Sequence, residues 1–525
     1  MSAALHRAWA LVVRYPIWTG LLLIALQTLL VLNGHWLWFS DEVRYAEVYS
    51  NLVSDGHWVV LRLNGEPYPD KPPVFFLLVR ALDLIPGVGM PHVLYLASAV
   101  SAGLLLAALV SLGRAVGVGR EGRAGGVLVL LALPAMSLLL HYVRMDLLFT
   151  ALMIWAQAAF YRHYIGGKPA SVAYGGYALA GLAILVKGPL GLLLPLAAVA
   201  LPALVRGQWR RLVSLTTLLG LLVALAVVSL WGVGIVAVEG WDFLMGDILG
   251  QQVVARAVDT FHHSEPVTFY FWMLPLLLMP WTGMVAGLRG SSFRATWAGT
   301  EPVSALALGA LATFAVLSSL DGKVGVYVLP ILAQLALLFG LLLTSAPQRA
   351  ARIGVALLFV LLGGVIASLP AWTEGTGWGA SLLCGLLLIA AALPLVSRLP
   401  GGPALSATAG LMALWSLALA AFLLPALNET MSTRQPAELL GQGAEEGATP
   451  VAYRTYPGIF SYYAGRDVVQ VDEAEAMQAM IDSGEPLVVA ARRRHWEQLD
   501  APGFEELYAR ELIGAGGEYV VMRRE

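Results

Sequence analysis

The chain has 525 residues, of which 58% are hydrophobic and only 13% charged, against roughly 25% charged in an ordinary soluble domain. With a mean hydropathy of +0.74, this excludes a soluble globular protein and points to a polytopic membrane protein. The net charge of −2 gives no basic surplus for nucleic acid, the single Cys384 excludes a disulfide framework, and no zinc-finger spacing, P-loop or dinucleotide fingerprint occurs.

Apolar stretches long enough to cross a hydrocarbon core of about 30 Å lie near 9–33, 93–113, 124–141, 146–161, 172–186, 188–205, 212–236, 267–288, 303–320, 324–344, 352–370, 377–397 and 404–426, about thirteen in all. The first ends in "NGHWLWFSDE" without a small-residue cleavage pattern and reads as an uncleaved anchor. Every second loop is basic. Arg7 and Arg14 mark the N-terminal end of the chain, and Arg114, Arg120 and Arg123, then Arg162 and Lys168, then Arg206, Arg210 and Arg211, then Arg289 and Arg294, then Arg349 and Arg352, then Arg398 fill alternate connections. By the positive-inside rule these loops and the N-terminus are cytoplasmic, and an odd number of spans puts the C-terminus outside.

The outer loops collect the remaining chemistry. The first, 34–92, opens with "FSDEVRYAEVYSNLVSDGHW", which reads as an amphipathic juxtamembrane helix. Ser40 is placed as its N-cap, Asp41 and Glu42 lie in the first turn, and Tyr45, Tyr49, Leu52 and Val53 form a stripe expected on lipid headgroups. Acids in a first turn also complement the helix dipole by about 0.3–1 kcal/mol. The i, i+3 spacing of Asp41 and Arg44 adds a reason for function, because it predicts a pair on one face. Next, "LRLNGEPYPDKPPVFFLLVRAL" holds Tyr68, Asp70 and Lys71 between prolines that restrict the backbone.

Arg144 and Asp146, Lys187, Arg256, His262, His263 and Glu265, then Asp321 and Lys323 join the same side. Ionisable groups gathered at one end of an apolar bundle read as an active site at the lipid boundary. Plainer expectations stand beside this. Lys187 snorkels to headgroups, Arg144 pairs with Asp146, Asp321 pairs with Lys323, and Trp36, Trp38, Trp58 and Trp281 form an interfacial belt. After residue 427 the composition turns polar. There "PVAYRTY", "DVVQV", "EPLVVAA" and "GEYVVMRR" read as strands, alternating with helices at 457–464, 473–482 and 493–498, a small soluble α/β domain over 428–525. The run "ARRRHW" at 491–496 offers a basic patch for anionic lipid or glycan.

"SDEVRYAE", "LNGEPYPDKPP", "LVKGP", "HHSEP" and "DGKVGVYVLP" together resemble the lipid A 4-amino-4-deoxy-L-arabinose transferases. They also resemble the wider polyprenyl-phosphate-sugar-dependent glycosyltransferases of the GT-C fold, the protein O-mannosyltransferases included. The resemblance covers roughly residues 1–430. It implies an all-α GT-C membrane domain over 1–427, with Asp41 as a catalytic carboxylate and Arg44 beside it. It further implies donor-phosphate contacts at Tyr68, Lys71, Lys187, Arg256 and Tyr327, and a divalent ion (Zn, Mg or Mn) held by Asp70 and His263. The arabinose transferases carry Glu where this chain has Asp70, one methylene shorter; His262 and Glu265 stand nearby to compensate. The implied reaction moves a sugar from an undecaprenyl-phosphate donor to lipid A or another envelope acceptor, on the outer side of the bacterial cytoplasmic membrane. Protein O-glycosylation and transport of lipid-linked sugars are the alternatives, and stereochemistry is left open.

Overall fold

The structure is a computed structural model describing residues 2–28, 35–255, 265–287, 302–345, 348–373 and 376–524. Its N-terminal segment is two helices, α1 (Ser2–Arg14) and α2 (Pro16–Thr28), which meet at 109°. Pro16 supplies no N–H and its ring displaces the preceding turn, so the expected single span over 9–33 is broken there. The same cause acts at Pro134, where α6 (Arg120–Leu131) and α7 (Pro134–His141) meet at 61°. It acts again ahead of Trp281–Gly287, which turns by 100° from Phe269–Leu277 after Pro280.

Among the described residues, seven helical segments are long and apolar enough to cross a membrane, or up to ten if each bent pair counts as one span. The seven are α5 (His92–Ala115), α9 (Ala170–Lys187), α11 (Leu215–Val238), Gly325–Ser345, Arg349–Ala367, Trp378–Val396 and Gly401–Ala426. Two shorter apolar helices, α10 (Leu190–Val205) and Val303–Ser319, lie among them. The helix α8 (Asp146–Phe160) is buried along most of its length and runs on into a π-turn at Tyr161–Ile165.

Lipid gives apolar helices no hydrophobic reason to associate, so close backbone approach must supply the contact. Glycines do this here. A Cβ on Gly340 would stand 2.1 Å from the amide nitrogen of Gly126 on α6, and one on Gly363 would stand 2.6 Å from the carbonyl oxygen of Gly385. A buried polar tie adds to the seams, where Gln157 Nε2 donates to Gln334 Oε1 at 3.1 Å and Gln334 Nε2 donates to Thr313 Oγ1 at 3.4 Å.

Between α2 and α5 the first loop folds into α3 (Asp41–Asp55), a hairpin of β1 (Arg62–Leu63) and β2 (Glu66–Pro67), and α4 (Val74–Asp83). The hairpin turns on Asn64 (φ 55°) and Gly65 (φ 79°), the two positive φ values that a type I′ turn requires. The helix α3 is not laid on headgroups by its tyrosines. Tyr45, Tyr49 and Leu52 are buried and only Val53 of that stripe is exposed, because α4 and the C-terminal region cover it; Tyr45 packs edge-on against Phe76 at 5.7 Å. Ser40 is the N-cap residue, but its side chain makes no capping hydrogen bond.

The C-terminal region is a mixed five-stranded sheet in the order β4-β3-β5-β7-β6. Here β3 (Thr449–Tyr453) runs parallel to β4 (Val469–Val471) and to β5 (Leu487–Arg492), while β7 (Gly517–Arg524) is antiparallel to β5 and to β6 (Glu505–Leu512). Its core is built by Val451, Tyr453, Val489, Trp496 and Val520. The "ARRRHW" patch is largely spoken for. Arg493 pairs with Glu506 at 2.9 Å and with Glu518, and Arg492 stacks on Tyr456 and Tyr519.

Candidate functional site

Three loops bring the site together at one end of the bundle: the first loop, the 142–145 connection before α8, and the end of α9. Asp41, first residue of α3, pairs with Arg144 Nη2 at 3.0 Å. The Nε of Arg144 binds the Oδ2 of Asp146 at 3.0 Å, and the other oxygen of Asp146 accepts from Lys187 Nζ at 2.5 Å. The ammonium of Lys187 also sits 4.8 Å over the ring of Tyr327. Acid, base, acid and base thus alternate from α3 to the 325–328 turn. Asp146 is 2% exposed and Lys187 8%, whereas Asp41 and Arg144 retain about a fifth of their surface.

Burial alone would lower the Arg144 guanidinium, yet Asp146 and Asp41 together raise it above the usual arginine range. Lys71 lies within electrostatic range of Lys187, and the Arg44 guanidinium is 5.2 Å from the ring of Tyr68. The Nε of Arg44 is buried without a hydrogen bond. Tyr45, buried one turn on from Asp41, lies within electrostatic range of Asp41, Arg144, Asp146 and Tyr68. Below Asp146, a cavity of about 10 Å³, one water's worth, is lined by Phe149, Thr150, Leu190, Leu194 and Tyr327.

Several expectations need correction. Asp41 does not pair with Arg44 three residues on; its partner is Arg144, and Arg44 turns instead to Tyr68. Arg144 does pair with Asp146, but not only locally, since it bridges two carboxylates. Lys187 is no snorkelling lysine, because α9 ends against Asp146 and buries it. Lys323 donates to the carbonyl oxygens of Glu265 at 2.7 Å and Asp321 at 3.5 Å, not to the Asp321 carboxylate. Trp38 and Trp281 are buried inside protein, outside any interfacial belt.

Of the expected site residues, Asp41, Arg44, Tyr68, Asp70, Lys71, Lys187 and Tyr327 lie in the described structure; Arg256 and His263 lie outside it. Among the described residues no three His, Cys, Asp or Glu side chains are grouped to hold a metal ion. Of the two expected metal ligands, Asp70 lies within the described residues and His263 outside them.

Glu42 was read only as a dipole-complementing acid, and it is more than that. It is fully buried, its Oε2 accepts from the Trp38 amide at 2.8 Å and its Oε1 from the Val143 amide at 2.6 Å. Burial raises its carboxyl well above the ordinary range, against the two amide donors, and neighbouring Asp41 adds to the rise. The side chain thereby fastens the backbone before Asp41 to the backbone before Arg144.

The segment leading into Asp41 is also gripped from the far end of the chain. Asn428 Oδ1 accepts from the Trp36 amide at 3.2 Å and from Trp38 Nε1 at 3.0 Å. Tyr463 Oη accepts from the Leu37 amide at 2.8 Å, Ser432 Oγ donates to the Leu37 carbonyl at 2.6 Å, and the Phe39 amide donates to the Met431 carbonyl at 2.8 Å. The hairpin is held likewise. Asn64 Nδ2 donates to the Val468 carbonyl at 2.6 Å, and its Oδ1 accepts from Val468 N at 2.8 Å and Ser461 Oγ at 2.6 Å.

A family model described as dolichyl-phosphate-mannose-protein mannosyltransferase matches residues 70–232. The chain is 30% identical over 361 residues to an undecaprenyl phosphate-alpha-4-amino-4-deoxy-L-arabinose arabinosyl transferase of Edwardsiella ictaluri, an alignment covering 66% of this chain and 63% of that protein. The same-named protein of Pseudomonas paraeruginosa is 30% identical, over 63% of this chain and 60% of its own. The crystal structure of ArnT from Cupriavidus metallidurans bound to undecaprenyl phosphate superposes with a TM-score of 0.72 at 20% identity, covering 98% of both chains. The chain has an ArnT-like fold and is similar in sequence to the arabinosyl transferases. The ArnT-like fold includes the C-terminal sheet region, since the superposition runs nearly end to end. The sequence alignments span just under two thirds of the length of these curated relatives.

Proposed function

We propose that this ArnT-like chain transfers 4-amino-4-deoxy-L-arabinose from undecaprenyl phosphate to lipid A, at the outer face of the bacterial cytoplasmic membrane. The observation that carries the reading is the Asp41–Arg144–Asp146–Lys187 ion chain, seated beside Lys71 and Tyr327 in a chain similar to the arabinosyl transferases. The alternating basic loops support an orientation with the N-terminus cytoplasmic and the site and C-terminal region outside.

In the reaction the bond from the anomeric carbon to the prenyl phosphate oxygen breaks and a bond to an acceptor oxygen forms. The phosphate leaves with the electron pair, so negative charge gathers on its oxygens as positive charge grows on the sugar. Lys71 and Lys187 hold the departing phosphate, preorganised cations of the kind whose single removal costs about 10²–10³ in rate. Burying Lys187 beside Asp146 fixes its position before substrate arrives. Arg44, backed by the Tyr68 ring, orients the acceptor phosphate. Asp41, oriented by Arg144, receives the proton of an acceptor that arrives protonated. A divalent ion at Asp70 and His263 remains the family's expectation, and its test is retention of activity after chelation and desalting.

The test is mass spectrometry of lipid A from cells with and without the gene, with Asp41→Ala as the inactive control. A gain of one aminoarabinose on lipid A, absent in the control, is expected. An unmodified lipid A pool in cells that carry folded protein overturns the reading. The family description as a protein mannosyltransferase favours a second reading, transfer to envelope proteins, and a sugar mass on those proteins instead would select it.

A further inference from the structure

At the end of α5 opposite the first loop, about 36 Å away for a helix of 24 residues, the chain forms a second cationic feature. A cavity of about 520 Å³ opens between the α1–α2 bend, the end of α5 and the start of α6. It is lined by Arg14, Arg114, Arg120 and Arg123 above an apolar floor of Ala10, Val13, Pro16 and Val110. The 109° bend at Pro16 lies at the cavity, and both sides of it contribute to the lining, Ala10, Val13 and Arg14 from α1 and Pro16 from α2.

Its charge is not balanced from within. Among the described residues none of the four arginines forms an ion pair. Glu121, in the same turn as Arg120, is exposed and forms no ion pair among the described residues. Arg114 and Arg120 instead repel Arg123, and Arg114 also repels Arg162. Arg123 is anchored by donating to the Val118 carbonyl at 2.5 Å, so it stays despite the repulsion. Three exposed arginines and one anchored one around an apolar floor is the arrangement a phosphate headgroup with attached acyl chains fills. Basic pockets between helices at a membrane surface bind headgroups in this way.

We propose that this cavity is a binding site for an anionic phospholipid carrying two phosphates, a cardiolipin-type headgroup, in the leaflet opposite the Asp41 site. Four guanidinium groups match two phosphodiesters, and the Ala10–Val13–Pro16–Val110 floor receives the first methylenes of an acyl chain. The proposal is independent of the sugar-transfer reading, since it concerns the other end of the bundle.

The experiment is native mass spectrometry of the full chain in detergent, with cardiolipin, phosphatidylglycerol and phosphatidylethanolamine added in equal amounts. Cardiolipin retained well above both others is expected. The triple variant R14Q/R114Q/R120Q, which leaves the anchored Arg123 untouched, should lose it on the order of a hundredfold, roughly a factor of five for each cation removed. The charge-conserving R14K/R114K/R120K keeps binding, which separates charge from misfolding. R210Q/R398Q, two exposed arginines of other basic loops, keeps it as well. Equal loss in R210Q/R398Q would mean a diffuse basic rim and overturn the site. Equal retention in the triple glutamine variant, or no preference over phosphatidylethanolamine, would overturn it too. Displacement by millimolar pyrophosphate alone would assign the cavity to a soluble phosphate and sink the lipid.

Discussion

Arg144 holds Asp41 at 3.0 Å across two loops that meet only in the folded chain. It does so with one nitrogen while a second nitrogen serves Asp146. That fork is a property of guanidinium and not of ammonium. Arg144→Lys is therefore expected to keep the charge but lose one of the two carboxylates, lowering transfer by about ten- to a hundredfold with folding retained. Asp41→Asn should cost about 10²–10⁴ in turnover with little change in substrate affinity. Both are read by steady-state transfer of a labelled sugar, split into kcat and KM; an Asp41→Asn enzyme with normal turnover would remove Asp41 from the chemistry.

Asp146 and Lys187 form a pair that is almost wholly buried. Removing one partner leaves a charge without its counterion, which costs about 3–5 kcal/mol, while replacing both with neutral groups of similar shape costs far less. In a cycle of Asp146→Asn, Lys187→Met and the double variant, the double should be more stable than the sum of the singles by about 1–3 kcal/mol. Reversible unfolding in detergent measures this, and additive effects would deny the coupling.

Asn64 carries three hydrogen bonds into the C-terminal region and also occupies a positive-φ turn position. Asn64→Gly preserves the turn and deletes the bonds, so the two roles separate. We expect Asn64→Gly to destabilise docking by about 1–3 kcal/mol and to raise hydrogen exchange at residues 62–67 and 461–468 together. Exchange that rises at the hairpin alone would show that the contact does not hold the two regions.

Glu47 is buried, its Oε1 accepts from Asn51 Nδ2 at 3.1 Å, and burial lifts its carboxyl to about 7, with the Asp467 carboxylate adding to the rise. A raised carboxyl binds its proton more tightly in the folded state. Its stabilising contribution is complete below the unfolded value near 4.5 and is lost as pH rises through about 7. Glu47→Gln should thus raise the melting temperature at pH 8 and leave it nearly unchanged at pH 4, by thermal unfolding in the same detergent. An equal shift at both pH values would contradict the assignment.

Much of the architecture was legible in the chain because apolar length and loop charge are local signals. The prolines at 16, 134 and 280 lie inside those apolar stretches, and the breaks they cause are legible from proline chemistry even though hydropathy passes over them. Four strands of the C-terminal sheet announce themselves by runs such as "PLVVAA", but β6, "EELYAREL", is half charged and is a strand only because β7 pairs with it. For the site, the sequence supplied the residue types and not their partners. Nothing local distinguishes Arg44 from Arg144 as the mate of Asp41, since the choice depends on how α3 and the 142–145 connection are set side by side. Glu42 is indistinguishable in sequence from any first-turn acid, and its role appears only when Val143 is seen to point an amide at it. The Asn64–Gly65 pair was the missed local clue, a strong hairpin signal hidden inside a loop noted for its prolines.

The tie between residues 36–39 and 428–463 sets an order on biogenesis. The ribosome makes the aspartate-bearing loop first and the short helices that brace it last, after every intervening helix has left the exit tunnel. A nascent chain halted at residue 427 would be threaded into the bilayer with its helices in place and Asp41 present, yet the peptide strand feeding that aspartate would have lost the side chains and carbonyls that now hold it. Any chemistry that needs Asp41 held in place must therefore wait until residues 428–463 have been made.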